Sequence, residues 1–257
     1  NALHDAFFLS GTKTVNLFII GSGWVGSTLL QQITRHAPKL KKDSKLDLRI
    51  AAITNTRQSV IDTRGIDPAA GKEILEASKE RHSTAEFIQA IKQLNLPNSI
   101  LVDCTASDEI AGLYEDVLLS SISVVTPNKR ANSGSIQKYY ALKEAARKGN
   151  VKFFYETNVG AGLPVISTLN DLLASGDEII RIEAVLSGTL SFIFNTFTEG
   201  RSFSDVVRDA RTRGYTEPDP RDDLSGRDVA RKLLILAREI GNRIEEDQVS
   251  VESLVPK

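Results

Sequence analysis

The chain contains no methionine, not even at its first position, Asn1, and it has a single cysteine, Cys104. With no initiator, it reads as a domain cut from a longer polypeptide. One cysteine excludes an intrachain disulfide, which fits a reducing compartment: the cytoplasm, or a plastid if the source is a plant. Cys104 closes the apolar run Ile100-Leu101-Val102-Asp103-Cys104, where a small core residue is a better reading than a nucleophile. The three histidines, His4, His36 and His82, lie far apart and form no zinc spacing. No apolar stretch has the length of a membrane span, and no signal peptide opens the chain, so no membrane partner is expected. With 32 basic and 33 acidic residues the net charge is -1, which gives no reason to expect nucleic acid as a partner.

What is present is an ordinary globular composition, 41% hydrophobic and 25% charged over 257 residues, enough for one large domain or two modest ones. Residues 1–12 read as a linker. Val15–Ile20 is a β-rich apolar run that stops at Gly21, and Val25 to about Ala37 turns helical, with Leu29, Leu30 and Ile33 on the face of Val25. Residues 39–45 read as a polar turn, and 46–54 as a second strand. Strands are expected at 99–105, 122–126 and 151–155, with helices at 84–94, 110–119 and 135–148 between them. This alternation predicts βα units around a parallel sheet. After Glu156 the texture changes. A helix over 163–174, a strand over 179–186 and helices near 204–213 and 225–240 predict a second domain. The expected boundary lies near residue 155, giving domains over 13–155 and 156–257.

Gly21-Ser22-Gly23-Trp24-Val25-Gly26 is a GxGxxG motif. Alone it is a weak signal, but here it follows a strand, opens a helix and begins a βαβ pattern. The first glycine permits a tight turn, the second lets a pyrophosphate approach the backbone, and the third allows close helix–strand packing. A dinucleotide would rest its phosphates on the N–H groups that open the helix. The bland alternative is a glycine turn with no ligand. NAD-selective folds carry an acid at the end of the second strand, whereas this strand ends Ile53-Thr54-Asn55-Thr56-Arg57. Either Arg57 pairs with a 2′-phosphate or it is a solvated loop charge; the reading favours NADP and also accommodates NAD.

Asp228 and Lys232 stand at i and i+4 in Asp228-Val229-Ala230-Arg231-Lys232, on one helix face. From spacing alone an exposed ion pair explains them as well as a catalytic site does. The loop 215–223 is stiffened by two prolines and rich in acids, so it is either a binding loop or a polar connection.

Four segments resemble homoserine dehydrogenases: Val124-Val125-Thr126-Pro127-Asn128-Lys129; Glu156-Thr157-Asn158-Val159-Gly160-Ala161-Gly162-Leu163-Pro164; Leu186-Ser187-Gly188-Thr189-Leu190-Ser191; and Gly214-Tyr215-Thr216-Glu217-Pro218-Asp219-Pro220-Arg221-Asp222-Asp223-Leu224-Ser225-Gly226, followed by Asp228 to Lys232. The resemblance runs from about residue 13 to the end. The opening residues are similar to the segment joining the two enzymes in bifunctional aspartokinase–homoserine dehydrogenases.

The resemblance implies a Rossmann-type α/β domain followed by an α+β catalytic and dimerisation domain, C-terminally truncated here because family members continue further. It implies NAD(P)H-dependent, reversible reduction of L-aspartate 4-semialdehyde to L-homoserine, a step towards threonine and methionine, in a homo-oligomer. Lys232 would pass the proton to or from the substrate oxygen. Lys129 would stand beside the nicotinamide and the reacting oxygen, while Glu217 and Asp228 would orient the substrate. Thr105, Ala106 and Ser107 would line the cofactor. Glu156, Val159, Ala161 and Leu163 would hold a sodium ion, largely through carbonyl oxygens that suit a hard cation. The rival class is a non-catalytic dinucleotide-binding regulatory or interaction module.

Overall fold

The computed structural model describes residues 11–216 and 219–255. The linker expected over 1–12 therefore lies, apart from its last two residues, outside the described residues, and so does Glu217. Two compact units divide the chain: residues 1–131 with 140–155, and residues 132–139 with 156–257.

The first unit is built on a six-stranded sheet in the order β3-β2-β1-β4-β5-β6. Its strands are β1 (Lys13–Ile20), β2 (Leu46–Thr54), β3 (Ser59–Ile66), β4 (Ser99–Asp103), β5 (Ser123–Val125) and β6 (Phe153–Phe154). All neighbours pair in parallel except β2 and β3, which are antiparallel. Strand pleating sends alternate residues of β1 to opposite faces. Leu17 and Ile19 join a core with Leu30, Ile33, Ile53 and Leu75, whereas Phe18 and Ile20 join one with Phe87, Ile91, Leu101 and Tyr114. Helices α1 (Trp24–Asp43) and α2 (Gly71–Ala77) cover the first face. Helices α3 (Thr84–Gln93), α4 (Asp108–Ala111) and α5 (Tyr114–Leu119) cover the second. The short α6 (Arg130–Ser133) and then α7 (Ile136–Lys148) follow β5.

Three expectations change here. Helix α1 does not stop near Ala37 but runs through Pro38 to Asp43, so the turn expected at 39–45 is largely helical. A proline removes one N–H and crowds the preceding turn, at a cost of about 3 kcal/mol in a helix interior. Near the end of a 20-residue helix that cost is borne. The stretch after Arg57, given no element from its sequence, forms the edge strand β3, and the sheet is mixed rather than purely parallel. The turn is made by Asn55, whose Oδ1 accepts the N–H groups of Arg57 (2.8 Å) and Gln58 (2.9 Å). The helix expected over 110–119 is two pieces with a break around Gly112 and Leu113.

In the second unit the described elements are helical: α8 (Val165–Ala174), α9 (Gly188–Thr196), α10 (Phe203–Thr212), α11 (Pro220–Leu224) and α12 (Arg227–Glu239), besides short 3-10 turns. Residues 179–186 were expected as a strand. They form none, and Ile180 (96% exposed) and Val185 (80%) stand in solvent. A strand's main-chain groups need a neighbour, and none pairs with this segment among the described residues. Residues 132–139 group with this unit, and Arg238, whose side chain is fully buried, is bonded to them. Its guanidinium donates to the carbonyls of Asn132 (2.8 Å) and Ile244 (3.0 Å) and to Glu245 (3.0 Å), and it stacks over the ring of Tyr139. Tyr139 in turn donates to Glu239 (2.7 Å), and Glu245 accepts the N–H of Ile136 (3.0 Å).

Candidate functional site

In the first unit the strand order reverses direction between β1 and β4, and a crevice outside the carboxyl ends of such strands is where open α/β sheets bind ligands. The GxGxxG loop sits at that point. Gly21 has φ +97°, and a Cβ there would lie 2.9 Å from the Thr105 side chain. At Gly26 a Cβ would fall 1.9 Å from the carbonyl oxygen of Gly21, so only glycine lets α1 start against this turn. Gly23 is different: its φ is an ordinary -70°, and a Cβ would meet nothing within 4 Å. Its bareness keeps space open. Helix α1 begins there with no side-chain cap and no acid in its first turn, so its leading N–H groups and positive dipole end face that space. These features fit a pyrophosphate. Ser22 steadies the loop by accepting Ser27 Oγ on its carbonyl (2.9 Å) and Asn55 Nδ2 on its hydroxyl (3.2 Å). Trp24 and Val25 project outwards, Trp24 with 93% of its surface exposed.

Beside the loop lies a cavity of about 730 Å3, edged by Gly23, Asn55, Arg57, Lys72, His82 and Thr105. Arg57 is exposed in the β2–β3 turn. Lys72, on α2, is the second cation at this end and lies 3.9 Å from Glu76. The last residues of β2 carry no carboxylate, as the sequence shows.

Across the switch point, β4 ends in Asp103, wholly buried. Its Oδ1 accepts the N–H of Thr105 (2.8 Å), and its Oδ2 accepts the Tyr114 hydroxyl and Asn128 Nδ2 (3.1 Å). The second Nδ2 hydrogen of Asn128 goes to the carbonyl of Ser107 (2.9 Å), and its Oδ1 takes the N–H of Arg130 (3.0 Å). Thr126 Oγ1 accepts the N–H of Asn128 (2.9 Å) and lies 3.0 Å from the Tyr114 hydroxyl. Burial, and next the Asp103 charge, raise the Tyr114 pKa above the ordinary phenol value. The stretch Thr105-Ala106-Ser107 is thus tied to the turn carrying half-buried Lys129. Cys104 is half-buried, its thiol pushed up to about 12 by burial and then by Asp103, so it stays protonated and unreactive. The reading of the sequence passed over Asp103, Tyr114 and Asn128. The signal was there: one carboxylate at the end of the apolar run Ile100–Val102.

In the second unit Lys232 Nζ lies 2.6 Å from Asp228 Oδ2 and donates to the carbonyl of Leu186 (2.7 Å). The lysine side chain is 17% exposed and that of Asp228 47%. This is more enclosed than the exposed pair that spacing alone allowed. Leu186 leads into Ser187, whose hydroxyl caps α9, and Thr189 Oγ1 donates to the carbonyl of Tyr215 (2.5 Å). The segments 186–191, 214–216 and 228–232 therefore meet. Asp219 begins α11, accepting the N–H of Arg221, and the Arg221 guanidinium holds its carboxyl down to about 2. Around 156–164, Glu156 accepts the N–H groups of Ile166 (2.8 Å) and Ser167 (2.9 Å) at the start of α8. The chain turns through positive φ at Gly160 (+78°) and Ala161 (+51°). Val159 is buried, and the carbonyl of Leu163 accepts the N–H of Val165 (2.9 Å). The described residues hold no cluster of three His, Cys, Asp or Glu, so a cation here would rely on carbonyl oxygen.

Two family models match the chain. One, described as homoserine dehydrogenase, NAD binding domain, covers residues 21–156; the other, homoserine dehydrogenase, covers 164–256. A bifunctional aspartokinase/homoserine dehydrogenase 1 of Arabidopsis thaliana, a chloroplastic protein, is 49% identical over all of this chain, which spans 28% of that relative's length. The homoserine dehydrogenase of Schizosaccharomyces pombe is 39% identical over 97% of the chain and 68% of its own. A hyperthermophilic archaeal homoserine dehydrogenase solved in complex with NADPH superposes with a TM-score of 0.74 at 30% identity, covering 88% of this chain and 70% of that one.

Proposed function

Starting from the fact that the chain belongs to the homoserine dehydrogenase family, we propose that it reduces L-aspartate 4-semialdehyde to L-homoserine, reversibly, with a nicotinamide dinucleotide. The observation that carries this reading is the enclosed Lys232. Asp228 and Leu186 supply acceptors for two of its three N–H groups, which leaves one to aim at a carbonyl oxygen. When bound, the dinucleotide supplies the hydride. The chain's own residues do the rest: the Gly21–Gly26 loop cradles the pyrophosphate, and Lys232 holds a proton at the oxygen where charge develops. Asp228 holds Lys232 in place, Lys129 serves the nicotinamide end, and Glu217 and Asp228 meet the substrate ammonium.

NADP is the preferred form, because Arg57 and Lys72 line the cavity at the end of β2, where an acid would otherwise serve NAD. A sodium ion at Glu156, Val159, Ala161 and Leu163 belongs to the same reading. The donors are the oxygens such an ion prefers, with Glu156 already shared with the start of α8. Residues 13–155 act as the dinucleotide domain and 156–257 as part of the catalytic and dimerisation domain of a homo-oligomer. No helix among the described residues is long and apolar enough to cross a membrane.

The test is NADPH oxidation with and without aspartate semialdehyde. Oxidation that depends on the semialdehyde supports the reading. Tight NADPH binding with no turnover would overturn it in favour of a binding module.

A further inference from the structure

A dinucleotide with its pyrophosphate on α1 has two halves to place. In this topology the adenosine half lies towards the end of β2, at the Arg57 and Lys72 edge of the cavity, and the nicotinamide half towards β4 and β5, on the side of its Thr105 edge. The second side is where Asp103 is buried. A wholly buried carboxylate is costly and persists only when its oxygens are well satisfied. Here three donors meet it from three separate stretches: the N–H of Thr105, the hydroxyl of Tyr114 on α5, and the amide of Asn128 in the turn before α6. Asn128 then closes a ring by donating to Ser107. The ring joins two backbone stretches that no strand pairing holds together, 104–107 and 126–129.

An apolar core would bring these stretches near each other but would not set their distance. Hydrogen bonds do, and a carboxylate does it on both oxygens, which an amide in its place does not, since one of its two ends is a donor. We propose that Asp103, with Tyr114 and Asn128, is a positioning cluster that sets the nicotinamide half of the site, fixing Thr105–Ser107 against the turn that carries Lys129. This rests on the dinucleotide reading above. It makes a specific demand: damage to the cluster should be felt by the nicotinamide half of the ligand and not by the adenosine half.

The experiment compares NADPH with adenosine 2′,5′-bisphosphate, which has the adenosine half alone, by titration calorimetry on the parent protein, Asp103→Asn and Tyr114→Phe. Tyr114→Phe keeps the ring in its edge contact with Phe153, at 5.8 Å between centroids, and removes only the hydroxyl. It covers the case in which Asp103→Asn fails to fold. The expected result is NADPH weakened roughly tenfold by Asp103→Asn and roughly threefold by Tyr114→Phe, with the bisphosphate unchanged. Equal weakening of both ligands, or of neither, in a folded Tyr114→Phe protein would overturn the inference and leave the dinucleotide reading standing. A parent protein that binds neither ligand would overturn both.

Discussion

At the tip of β1 the groups proposed to face a ligand belong to the main chain. They are the first N–H groups of α1, exposed because Gly21, Gly23 and Gly26 lie within six consecutive residues. In the second unit the proposed group is a side chain, Lys232, held across a long sequence distance by the carbonyl of Leu186. One site is local and tolerates no added atoms at Gly21 or Gly26. The other depends on packing among helices and on single polar contacts. Steric faults should therefore destroy the first, whereas charge and hydrogen-bond faults should graduate the second.

The largest effect is expected at Gly26. Gly26→Ala puts a Cβ into the Gly21 carbonyl, so helix and strand must separate, at a cost beyond about 4 kcal/mol. Soluble, folded Gly26→Ala protein by circular dichroism would contradict that. Gly23→Val, with open space around it, should keep its melting temperature and lose NADPH binding. If it binds normally, the pyrophosphate is not at this loop.

Next comes Lys232→Ala, expected to lower kcat by on the order of 10²–10⁴ with little change in KM for NADPH. Lys232→Arg should not restore it, because guanidinium does not take back a proton in the reverse direction. Steady-state kinetics in both directions checks this, and near-normal turnover in either variant would reduce the Asp228 pair to a structural one.

Arg238→Ala leaves Glu245 and the Asn132 and Ile244 carbonyls without their buried partner. It should destabilise the second unit by about 3–5 kcal/mol, while NADPH binding by the first persists. Denaturant titration read against NADPH affinity separates the two, and a joint loss would show the units to be one cooperative body. The smallest effect is at Arg57. Arg57→Ala should cost about 1.5–3 kcal/mol in NADPH binding and leave NADH unaffected. An NADPH affinity that Arg57→Ala leaves unchanged would assign the 2′-phosphate to Lys72 or to nothing.

How far each site could be read in advance follows the same division. The GxGxxG turn, the strand ends at Ile20 and Thr54 and the missing acid after β2 are each local in sequence, and a reader can place them without a fold. Helix periodicity likewise located α3, α8, α10 and α12 closely. What escaped was decided by neighbours. Residues 59–66 are a strand because β2 offers an open edge after the Asn55 turn, and 179–186 are not a strand because nothing described pairs with them. The helix expected to end near Ala37 instead runs through Pro38 to Asp43.

The amino-acid order determined on its own whatever depends on steric permission and short-range periodicity: the glycine turn, the two faces of β1, and the sharing of one helix face by Asp228 and Lys232. Tertiary structure decided which polar groups lose water. Asp103 gains Tyr114 and Asn128 as partners from 11 and 25 residues away. Arg238 reaches Asn132 across 106 residues, and Lys232 reaches Leu186 across 46. A hydrogen bond acts over about 3 Å, so its partners are set only once the chain has brought them together, and no pattern along the sequence carries that distance.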